Sequence, residues 1–311
     1  MATSLPIVLF IDRGFAVGPF AEALAGELEC REQVSAEERD RVVGLVTGIE
    51  PVGAAEVALF PRLRVVLSCS TGTDHLDTAA LRDLGLTVCH TPTYCTTEVA
   101  DHALAGLLAA WRGLWELGQA VRSGQWEPST MLRRFDAQRL GVVGLGRIGS
   151  QLARKAQAVG IDVVGCDPDP GAAADIPRVE LDELLAGCDA VSLHVPGRPG
   201  APPLLGAAEI ATMKPGAVLL NLSRASLVDL DAMLVALEEG ALGAAVWDVW
   251  PQEPPAADDP RLQTPRLFVT PHVGWSSPQA DVAYRAEAVD SLRAALIRGE
   301  TPPGLVRTAA D

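Results

Sequence analysis

The segment LGVVGLGRIGSQLARKAQAVG, residues 140–160, constrains this chain more than any other. An apolar, strand-like run ends in three glycines, Gly144, Gly146 and Gly149, and passes without a spacer into a segment of helical periodicity. A strand that turns so tightly into a helix aims the helix's unpaired amides and positive dipole end at whatever the turn encloses. In such a turn one glycine permits the bend, one lets a pyrophosphate approach the backbone, and one lets helix and strand pack closely. With 29 glycines in 311 residues, this spacing arises by chance in about one such chain in four, so context has to decide. Asp167 supplies it by closing the next apolar run, 18 residues after Gly149. A carboxylate there accepts from the hydroxyls of an adenosine ribose and repels a 2′-phosphate. No arginine follows it nearer than Arg178, so the site is expected to take NAD rather than NADP.

Around this turn, short β-like runs alternate with helical segments almost throughout, which argues for parallel sheets with crossover helices. Strands are expected at 6–11, 42–47, 64–69 and 86–90, then at 140–144, 162–166, 190–194, 217–222, 243–248 and 267–270. The last six suit a doubly wound nucleotide-binding sheet, and the first four a smaller α/β domain. Apolar residues from Val99 to Trp115 recur at helical spacing among many Ala and Gly, so 97–122 reads as one long buried helix. The Pro-rich pieces 196–203 and 251–265 read as loops at strand ends, where ligands bind in such sheets.

Composition removes several function classes. A formal charge of −15 disfavours binding to nucleic acid or anionic membranes, so an anionic ligand must be captured locally. The longest uncharged apolar stretch, 103–111, is less than half of the roughly 20 residues a membrane span needs. Six cysteines without a C-x-x-C pair or clustering with the five histidines suggest reduced thiols in the cytoplasm and no metal site. The N-terminus reads as a strand with no basic leader.

Downstream, Arg224 in LLNLSRASLVD, Glu253 in WDVWPQEPP and His272 in FVTPHVGWSS each follow an expected strand. Together they offer a bidentate clamp for a carboxylate, a histidine that gives and takes a proton, and an acid that holds this histidine charged. These segments resemble N-x-x-R-x-x-x-V-D, D-V-x-x-x-E-P and T-P-H of the NAD-dependent D-isomer-specific 2-hydroxyacid dehydrogenases. The resemblance covers nearly the whole chain. CSTGTDHLD (69–77) is similar to the loop whose amides receive the substrate carboxylate, TPTYCTTEVADH (91–102) to the crossover into the cofactor domain, and LHVP (193–196) to the loop past that domain's fourth strand. YCTTEVADHAL and TPHVGWSSPQA look closest to the branch containing C-terminal binding proteins, with Trp275 matching a tryptophan beside the nicotinamide pocket.

The resemblance implies two domains. One is a discontinuous, flavodoxin-like substrate domain, 1–96 with 282–311; the other is a Rossmann-type NAD domain, 97–281, with a closing cleft that desolvates the hydride path. It implies that Arg224 binds the substrate carboxylate and polarises its carbonyl, that His272 is the acid/base and that Glu253 is its partner. Thr96, Arg147, Ile148, Asp167, Pro196, Leu222, Ser223 and Asp248 fall where the family contacts NAD, with Asp248 on the nicotinamide amide. Ser70, Thr71 and Gly72, with Trp275, fall on the substrate side. The expected activity is hydride transfer between NAD(H) and a small 2-oxo or 2-hydroxy acid with D specificity, in a homodimer paired through the long helix. An NAD-sensing scaffold and a dehydrogenase of a phosphonate-type oxyanion stay open as alternatives.

Certain departures narrow the substrate. Pro196 is followed by Gly197 and Arg198 rather than P-x-T, which alters one edge of the adenine pocket. No basic residue stands at 46–48, where phosphoglycerate-using members carry one, and no Lys in CSTGTD, where phosphite-oxidising members place one. Glu253 stands where formate-oxidising members have Gln. An unphosphorylated acid is therefore expected, with its side-chain pocket walled near Thr47, Tyr94, Met131 and Trp275. The other histidines, His75, His90, His102 and His194, read as structural; Cys95 reads as packing, and Asp74 and Asp77 as caps of the following helix.

Overall fold

The computed structural model describes residues 4–12, 15–126, 132–169, 171–197 and 200–307. Met131 and Arg198 lie outside the described residues. The chain runs β1 (Ile7–Phe10), α1 (Val17–Ala23), β2 (Glu29–Arg31), β3 (Val42–Thr47), α2 (Ala54–Val57), β4 (Val65–Ser68), α3 (Thr78–Asp83), β5 (Thr87–His90), α4 (Thr96–Trp111) and α5 (Leu114–Arg122). It continues with β6 (Arg139–Val143), α6 (Arg147–Ala158), β7 (Asp162–Cys166), α7 (Leu181–Gly187), β8 (Ala190–Leu193), α8 (Ala207–Thr212), β9 (Ala217–Asn221), α9 (Leu230–Glu238), β10 (Leu242–Trp247), β11 (Leu267–Val269) and α10 (Pro278–Arg293). It divides into two compact units, Met1–Cys95 with Ser277–Asp311, and Thr96–Ser276. Residues 277–281, expected with the NAD domain, form the cap and first turn of α10 in the first unit.

The first unit is a parallel sheet in the order β2-β1-β3-β4-β5. Its inner strands read as unbroken apolar runs because both faces are covered. Ile7 and Leu9 of β1 pack with Val57 of α2 and Leu81 of α3. Val8 and Phe10 point the other way, onto Phe20 of α1, Leu24 at its C-cap, and Ala288 and Leu292 of α10. The chain's return segment thus shares one face of the first sheet with α1, which explains why this unit is discontinuous in sequence. Strand β2 is an addition to the expected set: three residues, ECR, carry too little pattern to be read as a strand. Asp77 caps α3 through Ala80 N, as expected.

The second unit holds a parallel sheet in the order β11-β10-β9-β8-β6-β7, and its six strands fall where the sequence places them. A further parallel bridge, Gly165 to Arg178, adds a rung outside β7. The order reverses between β6 and β8, the switch point at which doubly wound sheets bind nucleotides.

The long helix expected over 97–122 is two helices. Gly113 adopts the left-handed conformation at φ 58° and separates α4 from α5. Helix α4 buries Val99, Ala100, Ala103, Gly106, Leu107 and Trp111. A Cβ on Gly106 would lie 2.6 Å from Val246 of β10, so the small residues do admit a close neighbour. Helix α5 buries no residue at all, contrary to expectation. Among the described residues no helix is long and apolar enough to cross a membrane.

Candidate active site

Every candidate residue of the second unit from Gly144 onward lies just beyond the C-terminal end of a strand or in the turn that follows. Gly144 to Gly149 follow β6, Asp167 follows β7, and Pro196 follows β8. Leu222 to Arg224 follow β9, Asp248 and Glu253 follow β10, and His272 and Trp275 follow β11. Because the sheet is parallel throughout, all of these lie along one rim. Thr96 opens α4 of the same unit.

The glycine turn shows three distinct constraints. Gly144 has φ +90°, and a Cβ there would lie 2.4 Å from the His194 carbonyl oxygen. At Gly149 a Cβ would stand 1.9 Å from the Gly144 oxygen, so helix α6 is held against the end of β6. Around Gly146 nothing lies within 4 Å of that position. Gly146 caps α6, with exposed Arg147 and half-buried Ile148 in the first turn, so unpaired amides face that open space. This cradle fits a pyrophosphate.

Asp167 Oδ2 accepts from Leu145 N at 2.6 Å, and its Oδ1 from Asp169 N at 2.8 Å. The carboxylate is thereby tied to the glycine turn. Arg178, remote in sequence, returns to this loop and donates to the Asp167 and Asp169 carbonyls at 3.2 and 2.6 Å. Its distance along the chain was a poor guide to its distance in space. Exposed Pro196 precedes Gly197, whose missing side chain leaves room for Arg224: a Cβ there would meet Arg224 Cγ at 3.1 Å.

Past β9, Asn221 Nδ2 donates to the Arg224 carbonyl and Asn221 Oδ1 accepts from Ser223 N, shaping the turn that presents Arg224. Ser223 Oγ ties that turn to the Leu193 carbonyl at 2.7 Å. Buried Leu222 lies beside Gly274, 3.6 Å from where its Cβ would be.

His272 Nδ1 and Glu253 Oε2 are 2.6 Å apart, and Glu253 Oε1 accepts from Trp250 N at 2.7 Å. Burial pushes the Glu253 carboxyl up. The His272 and Trp250 hydrogen bonds and the nearby charges of His272 and Arg224 outweigh it, and hold the group below the usual carboxylate range. With Nδ1 engaged, Nε2 is the ring nitrogen left for a substrate oxygen. His272 itself sits at φ +53°. Its loop is held by buried Asp248, whose Oδ1 accepts from Thr270 Oγ1 and Val273 N and whose Oδ2 accepts from Gly274 N at 2.7 Å. One lone pair of Oδ2 remains for an amide. His102 Nε2 contacts the same Thr270 hydroxyl at 3.1 Å. His194 is half-buried beside Ser192 Oγ, and desolvation pushes it down to about 4, so it is neutral at physiological pH.

In the first unit, the carbonyls of Ser70, Thr71 and Gly72 are taken by Thr91 N, His90 Nδ1 and Ser70 Oγ. Their three N–H groups donate to no acceptor among the described residues, which makes the loop a ready anion nest. Beneath it Ser68 Oγ bridges Ser70 Oγ at 2.8 Å and His75 Nε2 at 3.1 Å. His75, His90 and His102, expected to be structural, contact Ser68 Oγ, the Thr71 carbonyl and Thr270 Oγ1.

The chain matches the family model for the D-isomer specific 2-hydroxyacid dehydrogenase NAD binding domain over residues 104–274. It belongs to the D-isomer specific 2-hydroxyacid dehydrogenase family. This dehydrogenase is 33% identical over 255 residues to glycerate dehydrogenase of Methylorubrum extorquens, covering 78% of this chain and 79% of that one. It is 34% identical to D-3-phosphoglycerate dehydrogenase of Mycobacterium tuberculosis over 97% of this chain, but spans only 59% of that relative's length. Among solved structures, D-lactate dehydrogenase from Aquifex aeolicus, complexed with NAD and lactic acid, superposes with a TM-score of 0.84 at 25% identity. That match covers 94% of this chain and 98% of the other. The protein is an NAD-dependent 2-hydroxyacid dehydrogenase with a Rossmann-type cofactor domain.

Proposed function

We propose that this enzyme interconverts a small, unphosphorylated 2-oxo acid and the corresponding D-2-hydroxy acid. The observation that carries the reading is the His272–Glu253 pair at 2.6 Å, with the charge of Arg224 also acting on Glu253. When bound, NAD(H) supplies or accepts the hydride. Arg224 pairs its guanidinium with the substrate carboxylate and polarises the carbonyl. In reduction His272 gives the Nε2 proton to the carbonyl oxygen, and in oxidation it takes the hydroxyl proton back. Glu253 orients the ring and stabilises its charged form, while Asp248 holds the loop that carries it. On the cofactor side, the amides at Gly146 to Ile148 meet the pyrophosphate and Asp167 the ribose. Thr96, Pro196, Leu222 and Ser223 border the dinucleotide, and one oxygen of Asp248 accepts from the nicotinamide amide. The amides of Ser70, Thr71 and Gly72 serve as an anion-receiving loop, and Trp275 borders the substrate side chain.

The lack of a cation at 46–48 supports an unphosphorylated substrate. There the Asp12 carboxylate accepts from Thr47 Oγ1, Gly48 N and Ile49 N, filling with negative charge a set of amides that a phosphate would need. Hydroxypyruvate, glyoxylate and pyruvate, small unphosphorylated 2-oxo acids, are the first probes. NADH oxidation followed by absorbance with each probe tests the reading. Turnover is expected with at least one, and its loss by about 10²-fold or more in His272→Ala. Turnover unaffected by His272→Ala, or found only with a phosphonate-type oxyanion, overturns it; NADH binding without any turnover favours a sensing scaffold instead.

We also infer a homodimer in the cytoplasm. Helix α5 leaves Leu114 and Val121, two turns apart on one face, at 61 and 48% exposure and has no buried residue, a face suited to a second copy. All six cysteines are free, as a reducing compartment requires. Light scattering at micromolar concentration is expected to give twice the chain mass, and a monomer there rejects the pairing.

A further inference from the structure

We propose that Arg178 is a positioning residue for the cofactor: its guanidinium folds the loop that carries Asp167 and thereby sets the preference for NADH over NADPH. The inference rests on the reading of Asp167 as the ribose acceptor. The backbone brings Arg178 there without help from its side chain, because Gly165 N donates to the Pro177 carbonyl and Val179 N to the Gly165 carbonyl, at 2.8 and 3.0 Å. From that rung the side chain reaches over the loop. Nη1 donates to the carbonyls of Asp167 and Asp169, and Nη2 donates to the carbonyl of Ala172. Three carbonyl oxygens of the loop thus converge on one cation, and Ala172 N closes on the Asp169 carbonyl at 3.2 Å. In the same loop Asp169 N meets Asp167 Oδ1, and Gly171 N meets Asp169 Oδ1, both at 2.8 Å.

The consequence lies in the lone pairs of Asp167. A carboxylate has about four acceptor positions. Asp169 N takes one on Oδ1, and Leu145 N takes one on Oδ2. One position remains on each oxygen, matching the two hydroxyls of a ribose, and the carboxylate is held from both sides in one orientation. Without the guanidinium the Asp169 amide loses its fixed direction, Oδ1 loses its partner, and the carboxylate is held from one side only, by Leu145 N on Oδ2. NADH then pays an ordering cost that NADPH, whose 2′-phosphate makes no use of this carboxylate, does not meet.

The test titrates NADH and NADPH by fluorescence against the full-length wild type, Arg178→Ala, Arg178→Lys and Asp167→Ala, with melting temperatures alongside. Arg178→Ala is expected to weaken NADH about tenfold, the worth of one charge-assisted hydrogen bond, and to leave NADPH within about twofold. Arg178→Lys, whose single ammonium satisfies fewer of the three carbonyls, is expected to fall between, and Asp167→Ala to abolish the preference. A merely structural role would lower the melting temperature without changing the ratio of the two affinities. Should Arg178→Ala fold poorly, the ratio measured with Arg178→Lys carries the same test. An unchanged NADH-to-NADPH ratio overturns the proposal. So does a ratio that rises because NADPH alone weakens, which would place the guanidinium against a 2′-phosphate. A wild type that binds neither nucleotide overturns the cofactor reading together with it.

Discussion

Adding one methyl group at Gly146 and, separately, at Gly149 tests whether the glycine turn separates folding from binding. At Gly146 the backbone is at φ −64° and ψ −163°, and a Cβ meets nothing within 4 Å. Alanine fits there without strain. Its smaller unfolded-state entropy, worth about 0.4–1 kcal/mol, roughly offsets the poorer cap it makes. Stability of Gly146→Ala should therefore stay within about 1 kcal/mol of the wild type. The methyl, however, occupies the space over the first amides of α6. Losing one or two charge-assisted bonds to a pyrophosphate costs about 2–4 kcal/mol, which is roughly 30- to 1000-fold in the NADH Kd. At Gly149 the same methyl would stand 1.9 Å from a backbone oxygen and 3.1 Å from Val142 Cγ1. Helix α6 has to move off β6 to admit it. At least about 3 kcal/mol of stability should go, or on the order of 6–12 °C in melting temperature for a unit of this size. Scanning fluorimetry with and without NADH, and an NADH titration, read both effects. NADH at about 100 times the wild-type Kd should raise wild-type stability by about 2.7 kcal/mol and that of Gly146→Ala by about 0.9 kcal/mol or less. Wild-type NADH affinity in a well-folded Gly146→Ala, or wild-type stability in Gly149→Ala, would refute the reasoning.

Glu253→Gln removes the carboxylate that favours the charged imidazole of His272. Reduction should slow, with a smaller loss of rate than in His272→Ala; a rate unmoved by the change contradicts the pairing. Arg224→Ala should raise KM and lower kcat together, because one fork serves both binding and polarisation, and an effect on KM alone would remove the polarising role. Since burial lowers His194 from 6.5 to about 4, the fold holds it neutral. That contribution is complete above the ordinary histidine value and is lost as the pH falls from there towards the lowered one, by up to about 3 kcal/mol. Urea melts at several pH values should show His194→Gln less acid-sensitive than the wild type, and parallel curves would exclude the assignment. Asp248→Ala leaves Gly274 N and Val273 N without their acceptor. It should cost roughly 2–4 kcal/mol of stability, weaken NADH through the lost nicotinamide contact, and cut kcat even at saturating NADH, measured by melting and by titration; unaltered turnover would mean the His272 loop holds itself.

What was legible in the sequence was whatever leaves a period or a compositional signature. The six strands of the cofactor unit are buried on both faces and so are written as short apolar runs, and the glycine turn is visible because only missing side chains admit its contacts. Arg224, Glu253 and His272 could be named because each follows a strand, and a parallel sheet gathers such residues on one rim. The break at Gly113 left no mark, since a glycine inside an apolar helical pattern looks the same whether its φ is negative or, as here, 58°. Glu253 and Asp248 were named from the sequence, but other parts that orient the site left no signal there, because they act on backbone atoms and hydroxyls. Arg178 binds three carbonyls, His90 binds one, and His75 and His102 meet Ser68 and Thr270. Every residue offers a carbonyl, so no pattern of side chains announces which one an arginine will find. A search for acids near a cation or metals near a histidine passes such groups by. Yet they decide the directions in which Asp167 and the 70–72 loop present their acceptors and donors. The chemistry of this site is therefore written in a few ordered motifs, and its precision in contacts that only the folded backbone reveals.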